Sequence, residues 1–303
     1  MQSEEIRLSF HNLRVRFRVY TPDDNKIAHR ALFVSSPIGD AESWEMLCSM
    51  LAESGCLCVA AELPGFGRSP CGKAVKQDND TRAQILWGIL DEIESRRGES
   101  QCAWHLIGHG SGAAAIMAMA LYQPDSVLSR VLVCPVLDRF TPAPLHRLAA
   151  TKLGEKVISF WYKRNIQNKK RFAHLVKRLY GVQVMKPRAA ALFHSYNRKG
   201  MLSTFLRIMR EGYTLPEAAY GITTPLMLIW GTDDRIFGGE IPARLQKRLP
   251  QAEKHMVRAA HMPMETMPEV LRDYLRGWFR FSEGHEKGVV RPTTSTHPES
   301  PRA

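Results

Sequence analysis

A chain of 303 residues with 44% apolar and 24% charged side chains can bury a full core as one large domain, or as one domain with an insert, which excludes a disordered or fibrous protein. Nowhere do eighteen apolar residues run together, and the start, MQSEEIRLSF, lacks a basic segment followed by an apolar one, so neither a membrane span nor a leader is expected and the expected location is the cytoplasm. The net charge of +12 is concentrated: sixteen Lys and Arg lie between Arg147 and Arg210 against the single acid Glu155, leaving 26 basic and 29 acidic residues elsewhere.

Ile6 to Phe10 and Leu13 to Tyr20 alternate apolar and polar side chains and predict a hairpin turning at His11-Asn12, each strand with one buried face. Ala31 to Ser35 is a continuous apolar run, the pattern of an inner parallel strand. Trp44, Leu47, Met50 and Leu51 then recur at helical spacing until Gly55. Cys56 to Ala61 predicts the next strand, Glu62 to Ser69 (ELPGFGRS) a turn, Lys73 to Asp80 a polar surface link, and Thr81 to Arg97 an amphipathic helix. Trp104 to Tyr122 (WHLIGHGSGAAAIMAMALY) is a buried strand, a glycine turn and a helix that stops before Pro124. Ser129 to Cys134 is another buried strand. From Phe140 to about Ala219 the alternation of strand and helix gives way to helical patterns, TKLGEKVISFWYKRN, KKRFAHLVKRLYG and MLSTFLRIMREG. Pro225 to Trp230 resumes the strands, followed by a helix at Pro242 to Leu249, a strand at Lys254 to Val257, a closing helix at Met267 to Phe281 and a polar tail. The six cysteines, Cys48, Cys56, Cys58, Cys71, Cys102 and Cys134, show no metal-ligand spacing and read as reduced thiols. No metal and no cofactor are expected.

Four stretches together, LPGFGRS, GHGSG, WGTDDRI and AHMPMETMPE, resemble the α/β-hydrolase superfamily over about residues 5 to 281. The resemblance implies an α/β fold: a mostly parallel sheet with helices on both faces and a helical cap inserted before the last two strands. Its implied divisions are a core at 1–139 and 220–282, a basic cap at 140–219 and a disordered tail at 283–303. In that family G-x-S-x-G lifts a serine nucleophile on a strained turn between strand and helix. Here the ungapped match puts Gly110 in the nucleophile's place. Choosing Ser111 instead would put His109 and Ala113 where small residues must let turn, strand and helix approach, whereas Gly108 and Gly112 suit the unshifted register. The resemblance further implies Asp234 as the acid, with Asp233 as the fallback, and His261 as the base, in the family's chain order. The places of the family's His-Gly pair are taken by Ser35 and Ser36. The place of the first oxyanion donor is taken by Pro37, which has no N–H, with Ile38 as the alternative donor.

Three readings follow. Asp234 and His261 remain a competent general base without a serine, the arrangement used by lyases and cofactor-free oxygenases of the superfamily, here on a small or carrier-bound acyl substrate. The chain is otherwise a non-catalytic pseudo-hydrolase, as the N-myc downstream-regulated proteins with glycine at the elbow suggest, or an ester or thioester hydrolase using Ser111. The basic insert is either a solvated face on helices that pack on the core or a field that attracts an anionic partner or substrate, an acyl carrier protein first and a membrane surface second. Nucleic acid is not expected, because no binding motif accompanies the charge.

Overall fold

The computed structural model of the chain describes residues 1–10, 13–37, 39–72, 75–137, 149–211 and 215–286. The expected turn at His11-Asn12, the alternative donor Ile38 and the expected start of the cap at Phe140 lie outside them.

Eight strands form one sheet in the order β1-β2-β4-β3-β5-β6-β7-β8. They are β1 (Gln2–Phe10), β2 (Leu13–Thr21), β3 (His29–Val34), β4 (Cys56–Ala61), β5 (Trp104–His109), β6 (Val127–Val133), β7 (Leu226–Gly231) and β8 (Glu253–Val257). β2 pairs antiparallel with β1 and with β4, and every later pairing is parallel. The continuous apolar runs explain this: every residue of β4, β5, β6 and β7 is buried, as strands covered on both faces must be. The helices α1 (Glu45–Ala52), α2 (Asn79–Arg97) and α3 (Gly112–Tyr122) follow β3, β4 and β5 in the crossover connections that parallel pairing requires.

The alternation in β2 misleads on one point. Arg16 belongs to the face expected to be wet, yet it is buried, in ion pairs with Glu5, Glu42 and Glu62. Glu62, the first residue of the ELPGFGRS turn, also accepts hydrogen bonds from the backbone of Ala41, Arg68 and Ser69. Burial raises its pKa while the Arg16 charge opposes that rise. This acid therefore holds the turn together from inside the protein.

Between β6 and β7 stand α4 (Lys152–Asn165), α5 (Lys169–Tyr180), α6 (Lys186–Tyr196) and α7 (Met201–Glu211). Three were expected and α6 was not. The expected surface link at 73–80 is corrected in part: Val75, Gln77 and Asn79 are buried, because Arg207 of α7 reaches the carbonyls of Val75 and Gly72 and Glu211 accepts from the Gln77 N–H. The chain closes with α8 (Ile241–Arg248), the short α9 (Pro263–Thr266) and α10 (Pro268–Glu286). Residues 283–286, expected to belong to a disordered tail, are helical instead. Helix α10 runs on to Glu286, and Glu283 accepts from His29 at 2.7 Å and His105 at 3.2 Å, tying that last turn to the sheet. Residues 287–303 lie outside the described ones.

Candidate active site

β5 ends at His109, and the chain reverses at Gly110, whose φ of +55° lies in the left-handed region that favours glycine. The flanking glycines are required for a different reason. A Cβ on Gly108 would stand 2.7 Å from Cα of Ala113, and one on Gly112 would stand 2.5 Å from the Val34 carbonyl oxygen. This close approach places Gly110 at the tip of the turn and Ser111 at the entrance to α3.

Two loops meet that turn. The one after β7 carries Asp234, buried, with Oδ1 accepting from the N–H groups of Ile236 and Phe237 at 2.9 Å each. Its Oδ2 accepts from His261 Nδ1 at 2.8 Å. Asp233 is exposed. Burial alone would raise the Asp234 pKa, but the hydrogen bond and charge of His261, with the two backbone N–H groups, hold it below the usual carboxylate range. An ionised carboxylate only accepts, so Nδ1 carries a proton, and in the neutral imidazole Nε2 keeps its lone pair. Nε2 is buried and has no hydrogen-bond partner among the described residues. It lies 3.9 Å from where a Cβ on residue 110 would be.

Ser111 has helical backbone angles (φ −74°, ψ −13°), and its Oγ makes no hydrogen bond to His261 or to any other described group. Ser36 sits opposite Gly110: a Cβ on residue 110 would come within 2.8 Å of Ser36 Cβ. Ser35 is occupied structurally, accepting from Trp44 Nε1 and donating to the Asp40 carbonyl. Pro37, Gly110, Ser111 and His261 all line one cavity of about 530 Å³ beneath the cap helices. Its remaining walls are mostly apolar, with Arg178 of α5 the only Lys, Arg, Asp or Glu among the described residues that line it. Neither Ser36 nor the cavity wall could be read as part of the site from residue types alone.

The cap is fastened on both sides of this cavity. Arg188 of α6 donates from Nη1 and Nη2 to the two oxygens of Asp40 at 2.7 and 2.8 Å, and from Nε and Nη2 to Glu265 at 3.0 and 2.8 Å. Tyr180 OH also donates to Glu265. Asp40 follows the Ser36-Pro37 loop and Glu265 follows His261. In addition, the His261 N–H donates to the Leu179 carbonyl at the end of α5.

Behind the His261 ring, His109 Nε2 donates to the His261 carbonyl at 2.9 Å. Burial, and then the neighbouring His261, lower the His109 pKa from 6.5 to about 3. Between those values the unfolded chain binds a proton that the folded chain does not, so stability rises with pH across the window and is lost as pH falls through it. The slope from this group is at most about 1.4 kcal/mol per pH unit. Chemical denaturation of His109→Gln between pH 6.5 and pH 4 is expected to show a flatter loss of stability than the parent; identical slopes would remove His109 as the cause.

Two groups have the composition of metal ligands among the described residues, His29/His105/Glu283 and Cys134/Asp234/His261. The first is already joined by hydrogen bonds within the group, with His105 Nδ1 bonded to Ser129 Oγ. In the second, the Cys134 thiol is buried and its pKa is raised by that burial and then by Asp234, which opposes the thiolate a metal would need.

The model of the alpha/beta hydrolase family matches residues 31–274. A 2-hydroxy-6-oxononadienedioate/2-hydroxy-6-oxononatrienedioate hydrolase of Paraburkholderia phymatum is 25% identical over 240 residues, covering 74% of this chain and 78% of that protein. The solved 2-hydroxy-6-oxo-6-phenylhexa-2,4-dienoate hydrolase of a Rhodococcus species superposes with a TM-score of 0.71 at 17% identity, over 92% of this chain and 99% of that one. A membrane phospholipase A described as a bacterial virulence factor superposes at 0.72 with 19% identity, over 93% and 87%.

Proposed function

Since the chain belongs to the alpha/beta hydrolase family, we propose that it is a serine-independent enzyme of that family, in which His261, oriented by Asp234, acts as general base on a substrate seated over Gly110. One observation carries the reading: among the described residues the imidazole Nε2 has no hydrogen-bond partner, at a cavity where residue 110 offers no side chain. In the proton-transfer step Nε2 takes H⁺ from an acidic C–H or O–H of the substrate, or from an attacking water, and the electron pair of that bond stays on the substrate or water oxygen. The resulting imidazolium is held against the Asp234 carboxylate, and the proton returns to the product. The apolar wall and Arg178 suit a substrate with an apolar body and an anionic end, and several of the curated relatives are named as 2-hydroxy-6-oxononadienedioate/2-hydroxy-6-oxononatrienedioate hydrolases.

The test is turnover of a panel of enol, oxo-acid and acyl substrates. His261→Ala is expected to lower any turnover found by about a hundredfold or more, and a fluorophosphonate probe is expected to leave the parent protein unlabelled. Labelling at Ser111, or turnover indifferent to His261, would overturn the proposal.

A further inference from the structure

We propose that α4 docks the protein on an anionic lipid surface, so that an amphiphile reaches the cavity directly from a bilayer. This goes beyond the proposed function and does not depend on the chemistry at His261.

The helix has three faces. Gly154, Ile158 and Tyr162 are buried against the molecule. Leu153, Val157, Phe160 and Trp161, spaced to fall along one side, are 69%, 49%, 65% and 45% exposed. Four large apolar side chains on one exposed helical face form a contiguous patch rather than scattered surface residues. The third face and the helix end carry Lys152, Lys156, Lys163 and Arg164, all exposed, none with an ion-pair partner among the described residues. An apolar stripe edged by unpaired bases has the chemistry of a helix lying in the headgroup region of an anionic leaflet, where aromatic and aliphatic side chains enter the acyl boundary and ammonium groups meet phosphates.

Continuity with the cavity selects a lipid surface over an acidic protein. Val157 and Trp161 belong to the exposed stripe and also line the cavity. A chain leaving a bilayer at α4 would stay against apolar surface all the way to Gly110. An acidic protein would match the bases without any use for that continuity.

Flotation of the full chain with vesicles of phosphatidylcholine alone, and of phosphatidylcholine mixed with phosphatidylglycerol, tests this. The protein is expected to float with the anionic vesicles at low salt, and to do so about tenfold less with the neutral ones or at high salt. Leu153→Glu/Phe160→Glu changes two exposed residues that do not line the cavity, and is expected to weaken partitioning about tenfold or more with the thermal unfolding midpoint unchanged. Brominated acyl chains supply a second reading. Of six tryptophans only Trp161 is exposed, the others being buried, so quenching on vesicle binding reports α4 at the bilayer. Absence of flotation with anionic vesicles overturns the proposal, as does equal flotation of the double variant or binding without quenching. So does capture of an acidic carrier protein, or self-association through α4, in a protein that ignores vesicles.

Discussion

Gly110→Ser combined with Ser36→Gly is expected to be labelled stoichiometrically by fluorophosphonate at residue 110, as read by intact mass and peptide mapping. A Cβ at residue 110 would stand 3.9 Å from Nε2 of His261, so a hydroxyl one bond further out comes within hydrogen-bonding reach of an imidazole already oriented by Asp234. Gly110→Ser alone should fail. Its Cβ would lie 2.8 Å from Cβ of Ser36, an atom fixed to the backbone that cannot swing away, and its φ of +55° is costly for serine. That single variant is expected to be destabilised by about 2–4 kcal/mol and to label poorly. Efficient labelling of the single variant, or none of the double, would show that the space opposite Gly110 is not what excludes an oxygen.

Arg188→Met is expected to destabilise the protein by about 3–5 kcal/mol in denaturant unfolding. Asp40 and Glu265 are buried or nearly so, at side-chain exposures of 3% and 15%, and the guanidinium supplies hydrogen bonds to both oxygens of each. Burial would lower the Arg188 pKa, but the hydrogen bonds and charges of Glu265 and Asp40 raise it well above the ordinary value, so the cation persists at any working pH. Removing it strands two carboxylates in a poorly solvated seam, and the cost is theirs. Arg188→Lys should recover little, since an ammonium cannot present a planar fork to two carboxylates at once. A loss below about 1 kcal/mol would place the pair among ordinary surface ion pairs.

The central strands were legible because continuous apolar runs such as CLCVAA and PLMLIW have no other economical place than the middle of a sheet. Asp234 and His261 were legible because each sits in a loop whose neighbours are distinctive. What escaped notice depends on contacts between distant segments. The helix α6 has few buried apolar residues, Leu192 and Tyr196, so its pattern is weak. Its anchor is the ion pairing of Arg188, which composition does not announce. Ser36 was noticed as a departure from a pattern, but its position opposite Gly110 is set by how the loop after β3 folds over the turn. Val75 and Gln77 looked like surface because nothing in a polar stretch says that a helix from 130 residues later will cover it.

The backbone bond from His261 to the Leu179 carbonyl has a mechanical meaning. The peptide that carries His261 hangs from the end of α5, and the same helix lines the cavity through Phe172, Leu175, Val176 and Leu179. A cap that lifted as one piece would therefore draw His261 away from Asp234, its partner on the sheet side. Traffic through such a molecule is better served by a side door of yielding side chains than by a hinged roof.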